Sequence, residues 1–319
     1  MKLNSSNMMC MISLTLSTTL STMTNNWLSM WMLMELNMFM FIPLMAKNKV
    51  NDQSIKYFII QSFSSYMLMF SILMMSICMN MPKSNMLMMT SLLIKIGMSP
   101  FHIWVPEIMY KIKWNECFLL TSILKITPMI LMNKLLKFEM IMIPMILSLI
   151  LGSISGFNQF SMKKLMAFSS IFNISWMTSS FYLSKKITMF FLIVYSILNF
   201  KIMNLFKKLN ILYTNQINHL ELMNKMKINS SMLSIMGLPP MMGFLPKLII
   251  LKEISNKSNM LMGTMILTSL MSMFMYLQMN SFTLSNLSMK KKCFKLNKFK
   301  SFYMMNLITI SLTWLTWTN

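Results

Sequence analysis

The chain has 319 residues, 55% of them hydrophobic and 11% charged, with a mean hydropathy of +0.58. A soluble domain is usually about 25% charged, so the composition argues against a soluble enzyme and equally against disorder. All 29 basic residues are lysine, set against 7 acids for a net charge of +22. Nucleic-acid binding would mass such charge on one polar face and usually reads bases with arginine; here the lysines sit mostly in short gaps between apolar runs, which is the membrane pattern.

A helix needs about 20 residues to cross the hydrocarbon. In chain order the apolar runs predict eleven spans, at 7–24, 27–46, 56–80, 86–109, 115–133, 140–160, 164–183, 187–206, 230–252, 259–282 and 302–318. The first could pass for a signal peptide. No small-residue cleavage site follows it, however, and the next span begins almost at once, so it reads as a retained helix. The longest gaps, 207–229 and 283–301, are rich in lysine and too short for a water-soluble domain. The expectation is a single membrane domain over 1–319, an all-α bundle of about eleven helices. Two of those helices, 86–109 and 230–252, are interrupted by proline. Interrupted helices in corresponding halves point to a transport site.

Alternate gaps lie on opposite sides. The side of the N-terminus holds 18 lysines, the other side 7, and four lie inside spans. That bias predicts an N-terminus on the cytoplasmic or matrix side and, with an odd number of spans, a C-terminus opposite.

Cys10, Cys78, Cys117 and Cys293 are scattered without CxxC spacing, so they suggest no disulfide framework, zinc site or iron–sulfur site. The 48 methionines could handle copper through their thioethers, but they spread through every apolar run and read as filler. Gly-rich phosphate loops, HExxH and nucleophile elbows are absent from the sequence. The chain therefore offers no motif for a nucleotide, flavin, quinone or metal.

The charges inside the spans carry the chemistry. Glu35 lies in WMLMELNMFMF, Lys95 in SLLIKIGMSPF, Lys125 in LLTSILKITPMIL and Lys247 in GFLPKLIIL. At the bilayer centre each costs roughly 2.5–3.5 kcal/mol, on the order of 10–14 for the four. Lys201, a turn or two from its helix end, can snorkel; Lys125, far from both ends of its span, cannot. One acid can pair with one lysine but not with three. Desolvation favours a neutral lysine and an adjacent carboxylate favours a charged one, so moving the acid would switch a proton. Beside these lysines, Gly97 and Pro100 loosen the first broken helix and Pro106 is expected to end it. Gly237, Pro239, Pro240, Gly243 and Pro246 interrupt the second. Broken helices expose backbone groups that must face protein or water. His102, in the first break, is a tentative further proton carrier. His219 reads as a solvated loop residue, and Glu107, at the membrane edge, as a helix-end cap or a matrix contact.

At these residues the chain resembles a known family, the NADH–ubiquinone oxidoreductase chain 2 subunits, mitochondrially encoded antiporter-like members of respiratory complex I. The stretches that carry the resemblance are WMLMELNMFMFIPLM (31–45), KYFIIQSFSSYML (56–68), LLIKIGMSPFHIWVPEIM (92–109), LLTSILKITPM (119–129), GSISGFNQFSMKKLMAFSSIFNISWM (152–177) and MGLPPMMGFLPKLIILKEI (236–254). The resemblance implies an antiporter-like fold and a proton path in which Glu35 modulates Lys95, Lys125 bridges and Lys247 is terminal. It implies other membrane-arm subunits and phospholipid, including cardiolipin, as partners, and residence in the mitochondrial inner membrane with the N-terminus in the matrix and the C-terminus in the intermembrane space. FMN, iron–sulfur clusters and ubiquinone would sit elsewhere in the complex, with none in this chain. Asn173 departs from the histidine common in related subunits, and the region after 254 is only loosely similar. Two rival readings remain: a stand-alone sodium or potassium/proton antiporter of the same fold, and a structural membrane subunit.

Overall fold

The computed structural model describes residues 5–46, 52–77, 82–135, 137–239 and 241–288. The last expected span, 302–318, the lysines of 290–300, Pro240, Cys78 and Cys293 lie outside the described residues. Thirteen α-helices occur among the described residues. They are α1 (Ser5–Met23), α2 (Trp27–Met45), α3 (Asp52–Ile77), α4 (Pro82–Ile96), α5 (Trp104–Lys111), α6 (Trp114–Thr121), α7 (Ile123–Leu135), α8 (Phe138–Ser155), α9 (Met162–Leu183), α10 (Lys185–Lys208), α11 (Leu222–Met236), α12 (Phe244–Ser255) and α13 (Asn259–Ser288).

Burial runs opposite to that of a water-soluble protein. On α3 the residues turned inward include Gln61, Ser64, Ser65 and Ser71, while Ile59 and Phe63 are 57% and 58% exposed. An apolar outer face of that extent would drive association in water; in a bilayer it meets its own solvent. Among the described residues, six helical stretches, including 114–134 taken together, are long and apolar enough to cross a membrane. With small polar residues between helices and large apolar ones outside, this is a multi-pass membrane bundle.

At its centre stands α9, which packs against α5, α6, α7, α8, α10 and α12. It is buried nearly all round, including Ser169, Ser170, Asn173, Ser175, Thr178, Ser179 and Ser180. Most of these satisfy themselves locally; Ser169, Ser170, Ser175, Ser179 and Ser180 each donate to the carbonyl three residues back. Close approach to α8 depends on Gly152, where an added Cβ would lie 2.7 Å from the Phe172 backbone nitrogen.

The structure corrects the sequence reading of three segments. The break expected within 86–109 separates α4 from α5, but Pro106 does not end a helix there. It is the third residue of α5, where a missing N–H costs nothing because the first turn has no internal acceptor for it. The span expected as continuous over 115–133 is divided at Ser122, whose backbone (φ −117°, ψ −73°) parts α6 from α7. The 230–252 span begins earlier, because α11 starts at Leu222.

Candidate proton path

The broken helices come first, because they place two of the lysines. Gly97 ends α4 at φ +76° and Gly237 ends α11 at φ +82°, left-handed values that suit glycine at a helix C-terminus. In the first break, Lys95 lies in the last turn of α4. The indole Nε1 of Trp104, at the start of α5, donates to the Ile94 carbonyl at 3.1 Å. Gln61 Nε2 of α3 donates to the Lys95 carbonyl at 3.5 Å. Carbonyls at the frayed end of α4 thus find protein donors in place of the next turn of helix. In the second break, Lys247 on α12 reaches back and donates to the Met236 carbonyl at 2.8 Å. The C-terminal end of a helix carries about half a negative charge, so the broken end of α11 gives the ammonium part of the attraction a carboxylate would. The faces of Phe172 and Trp176, 5.2 and 5.5 Å from the ammonium, add a cation–π attraction.

Glu35, on α2, pairs with Lys95: Nζ to Oε1 is 3.2 Å, with side-chain exposures of 15% for the acid and 5% for the lysine. Lys95 faces inward and the acid lies nearer the outer surface. A cavity of about 30 Å³ joins Lys95 to Lys125; its wall also carries Asn37, Tyr57, Gln61 and Thr127. A water site needs about 10–15 Å³ and two or more polar partners, so this cavity can hold water. Asn37 donates to Thr127 Oγ1 at 3.4 Å and accepts from Ser17. Pro128 has no N–H to offer the Leu124 carbonyl one turn back, and Leu124, Lys125, Thr127 and Pro128 all line the cavity. The proline therefore leaves α7 with a polar backbone flank beside Lys125.

Beyond the cavity, Lys125 donates to Ser170 Oγ of α9 at 3.2 Å. Its neighbour Ser169 accepts from the Asn173 side chain through its carbonyl, at 2.8 Å. Ser169 and Asn173 face a second, smaller cavity of about 10 Å³ shared with Lys247, Ser272 and Tyr276. Tyr195 lies beside Asn173 and Asn199. The Asn199 amide and the Tyr276 hydroxyl are buried without a well-formed hydrogen bond among the described residues. Buried amides of this kind are usually served by ordered water.

The structure therefore brings Lys95, held by Glu35 from the outer side, and Lys125 to one cavity and sets Lys247 across α9 from it, with serine and asparagine between. His102 does not join them; its Nδ1 meets the Pro100 carbonyl at 3.2 Å on the half-exposed loop. Glu107 forms an exposed ion pair with Lys56 at 3.6 Å. The sequence reading missed the connectors Asn37, Thr127, Ser170, Tyr195 and Tyr276. The usable signal was the position of Thr127 and Ser170 in the same short stretches that drew attention to Lys125 and Asn173.

Residues 24–272 match the family described as NADH:quinone oxidoreductase/Mrp antiporter, transmembrane. The NADH–ubiquinone oxidoreductase chain 2 of Locusta migratoria is 34% identical over 290 residues, 87% of this chain and 85% of that one. Its counterpart in Anopheles gambiae is 35% identical over 86% of this chain and 85% of its own length. Among solved structures, a chain of respiratory complex I from Thermus thermophilus superimposes with a TM-score of 0.79, covering 87% of this chain and 70% of that one at 18% identity, which speaks to the fold alone. Taken with the broken helices and their lysines, these likenesses make the chain a member of the NADH:quinone oxidoreductase/Mrp antiporter family, among its NADH–ubiquinone oxidoreductase chain 2 subunits.

Proposed function

We propose that protons cross this subunit by way of Glu35, Lys95, Lys125 and Lys247, in that lateral order, within the membrane arm of NADH:ubiquinone oxidoreductase. The observation that supports this route most directly is the shared cavity, with Lys95 ion-paired on one side and Lys125 on the other. Drawing Glu35 away from Lys95 removes an attraction of roughly 5 kcal/mol, taking 3.2 Å and an effective dielectric of 20. The released proton has water-sized space toward Lys125 and a hydroxyl, Ser170, beyond it. Lys247, held by a helix end and two rings, is the terminal station.

On this reading the whole chain, 1–319, is one membrane domain of about eleven spans in the mitochondrial inner membrane, with its N-terminus in the matrix and its C-terminus in the intermembrane space. Neighbouring subunits transmit the drive from quinone reduction elsewhere in the complex, where FMN, iron–sulfur clusters and ubiquinone reside. The lysine-rich segments lie on the matrix side near cardiolipin or acidic partner subunits.

The test is substitution at the matching positions of a bacterial complex that can be mutated. Lys95→Met keeps the stem and removes the titrating nitrogen. Pumping and coupled quinone reduction should fall while the complex assembles. A purely structural pair predicts the reverse, because removing one partner strands a buried charge at a cost of about 3–5 kcal/mol and assembly should fail. Normal pumping in an assembled Lys95→Met complex would dismiss this lysine as an obligatory carrier.

A further inference from the structure

A groove of about 410 Å³ opens between α1, α7, α9 and α10, with Tyr195 at its inner wall. Thr22, Ile126, Ile130, Phe181, Met189 and Ile193 are among its walls. Met189 and Ile193 are 52% and 55% exposed, so the groove opens sideways, toward the surroundings of the bundle. Its character is apolar along its length, but its mouth is not. Lys134 follows Ile130 by four residues on α7, and Lys185 and Lys186 precede Met189 by four and three on α10. Residues at that spacing share a helix face, so each lysine stands one turn beyond the groove on the groove side.

Two further features mark the mouth. Lys134 is drawn across it, donating to the Thr24 carbonyl at 2.7 Å at the end of α1. Lys185 and Lys186 are the first two residues of α10, whose first turn contains no acid. Cations at a helix N-terminus oppose its dipole; an anion there would be held by both lysines and by the helix end. On the other flank of α9, Lys257 also comes to this end of the bundle, donating to the Tyr182 carbonyl at 2.9 Å.

Depth identifies the occupant. At about 1.5 Å per residue, Ile123 to Lys134 and Lys185 to Ser196 each span about 16 Å. That is one leaflet of a hydrocarbon core roughly 30 Å thick. We propose that this groove seats an acyl chain of an anionic phospholipid whose phosphate rests among Lys134, Lys185 and Lys186. The inference does not depend on the proton path. It concerns the membrane face opposite the one to which the lysine-rich segments 207–229 and 283–301 are assigned.

The experiment uses the intact complex containing this chain, in its membrane. Phosphatidylglycerol with a diazirine near the end of one acyl chain is the probe, and phosphatidylcholine with the same tail is the comparison. After irradiation, peptides of this chain are mapped by mass spectrometry. The glycerol lipid should label residues within 122–130 or 189–196 at least about ten-fold more strongly than the choline lipid, given about five-fold per lysine near an anionic group. High salt should reduce the difference. Equal labelling by the two probes would overturn the anionic site. No label in these segments would overturn the lipid altogether, as would protein crosslinks that seat a neighbouring subunit's helix in the groove.

Discussion

Gly237→Ala tests whether the break between α11 and α12 holds Lys247 in place. The backbone at Gly237 has φ +82°, which costs an L-residue roughly 1–2 kcal/mol. A Cβ there would sit 3.1 Å from the Gly243 carbonyl oxygen and 3.2 Å from Lys247 Cδ, so the lysine stem must yield by a few tenths of an ångström. Its ammonium stands 2.8 Å from the Met236 carbonyl, and a good bond of this kind weakens beyond about 3.2 Å. Losing it would forfeit roughly 1.5–3 kcal/mol, as for hydrogen bonds to charged groups. The expected total is about 2.5–5 kcal/mol, divided between backbone strain and a displaced lysine. Gly263→Ala is the control, because nothing lies within 4 Å of an added Cβ there and alanine favours the helix by up to about 1 kcal/mol. In a mutable relative, the assay is blue-native assembly, thermal inactivation, and acidification of vesicles per NADH oxidised. The alanine at 237 should assemble, inactivate several degrees lower and pump less per turnover, while the alanine at 263 should pump as the parent does and inactivate no lower. If the two variants behave alike, the geometry of the break does not position Lys247.

Three smaller changes separate the parts of the site. Ser170→Ala removes the 3.2 Å acceptor of Lys125 and should slow pumping with assembly intact, whereas Ser170→Thr should restore most of the rate; vesicle acidification reads both. Trp104→Phe keeps the ring packed but leaves the Ile94 carbonyl without its 3.1 Å donor, which should cost about 1–3 kcal/mol and lower the inactivation temperature. Glu107→Gln breaks an ion pair exposed on both partners; such pairs contribute about 0–1 kcal/mol, so neither melting nor pumping should change measurably.

The sequence exposed the charged members of the site because burying charge is expensive, and Glu35, Lys95, Lys125 and Lys247 stand out in apolar runs for that reason. It exposed the two long breaks because glycine and proline cluster there. It concealed the division at Ser122, where neither residue occurs and the nearest proline, Pro128, is absorbed within α7. Pro106 misled for the opposite reason: proline halts a helix in its interior and is harmless in its first turn, and only the fold says which turn it occupies. The polar connectors were illegible because α9 is buried on every side. With serines on several faces, no periodicity shows which of them meets Lys125. His102 drew attention by its chemistry, and the loop geometry gives it to Pro100 instead.

The partner that Lys247 finds in the Met236 carbonyl has a consequence for heredity. A counter-charge supplied by a side chain can be lost in one codon change, as the loss of Glu35 would strand Lys95. The carbonyl of residue 236 survives any change of that residue's side chain, so position 236 is free to drift among apolar residues without touching the bond. Sequence comparison would then show a solitary lysine with no covarying acid, and a screen for its partner by point substitution would return nothing. What inheritance must preserve is the direction in which the chain turns just after it, a constraint that rests on one small residue rather than on a matched pair.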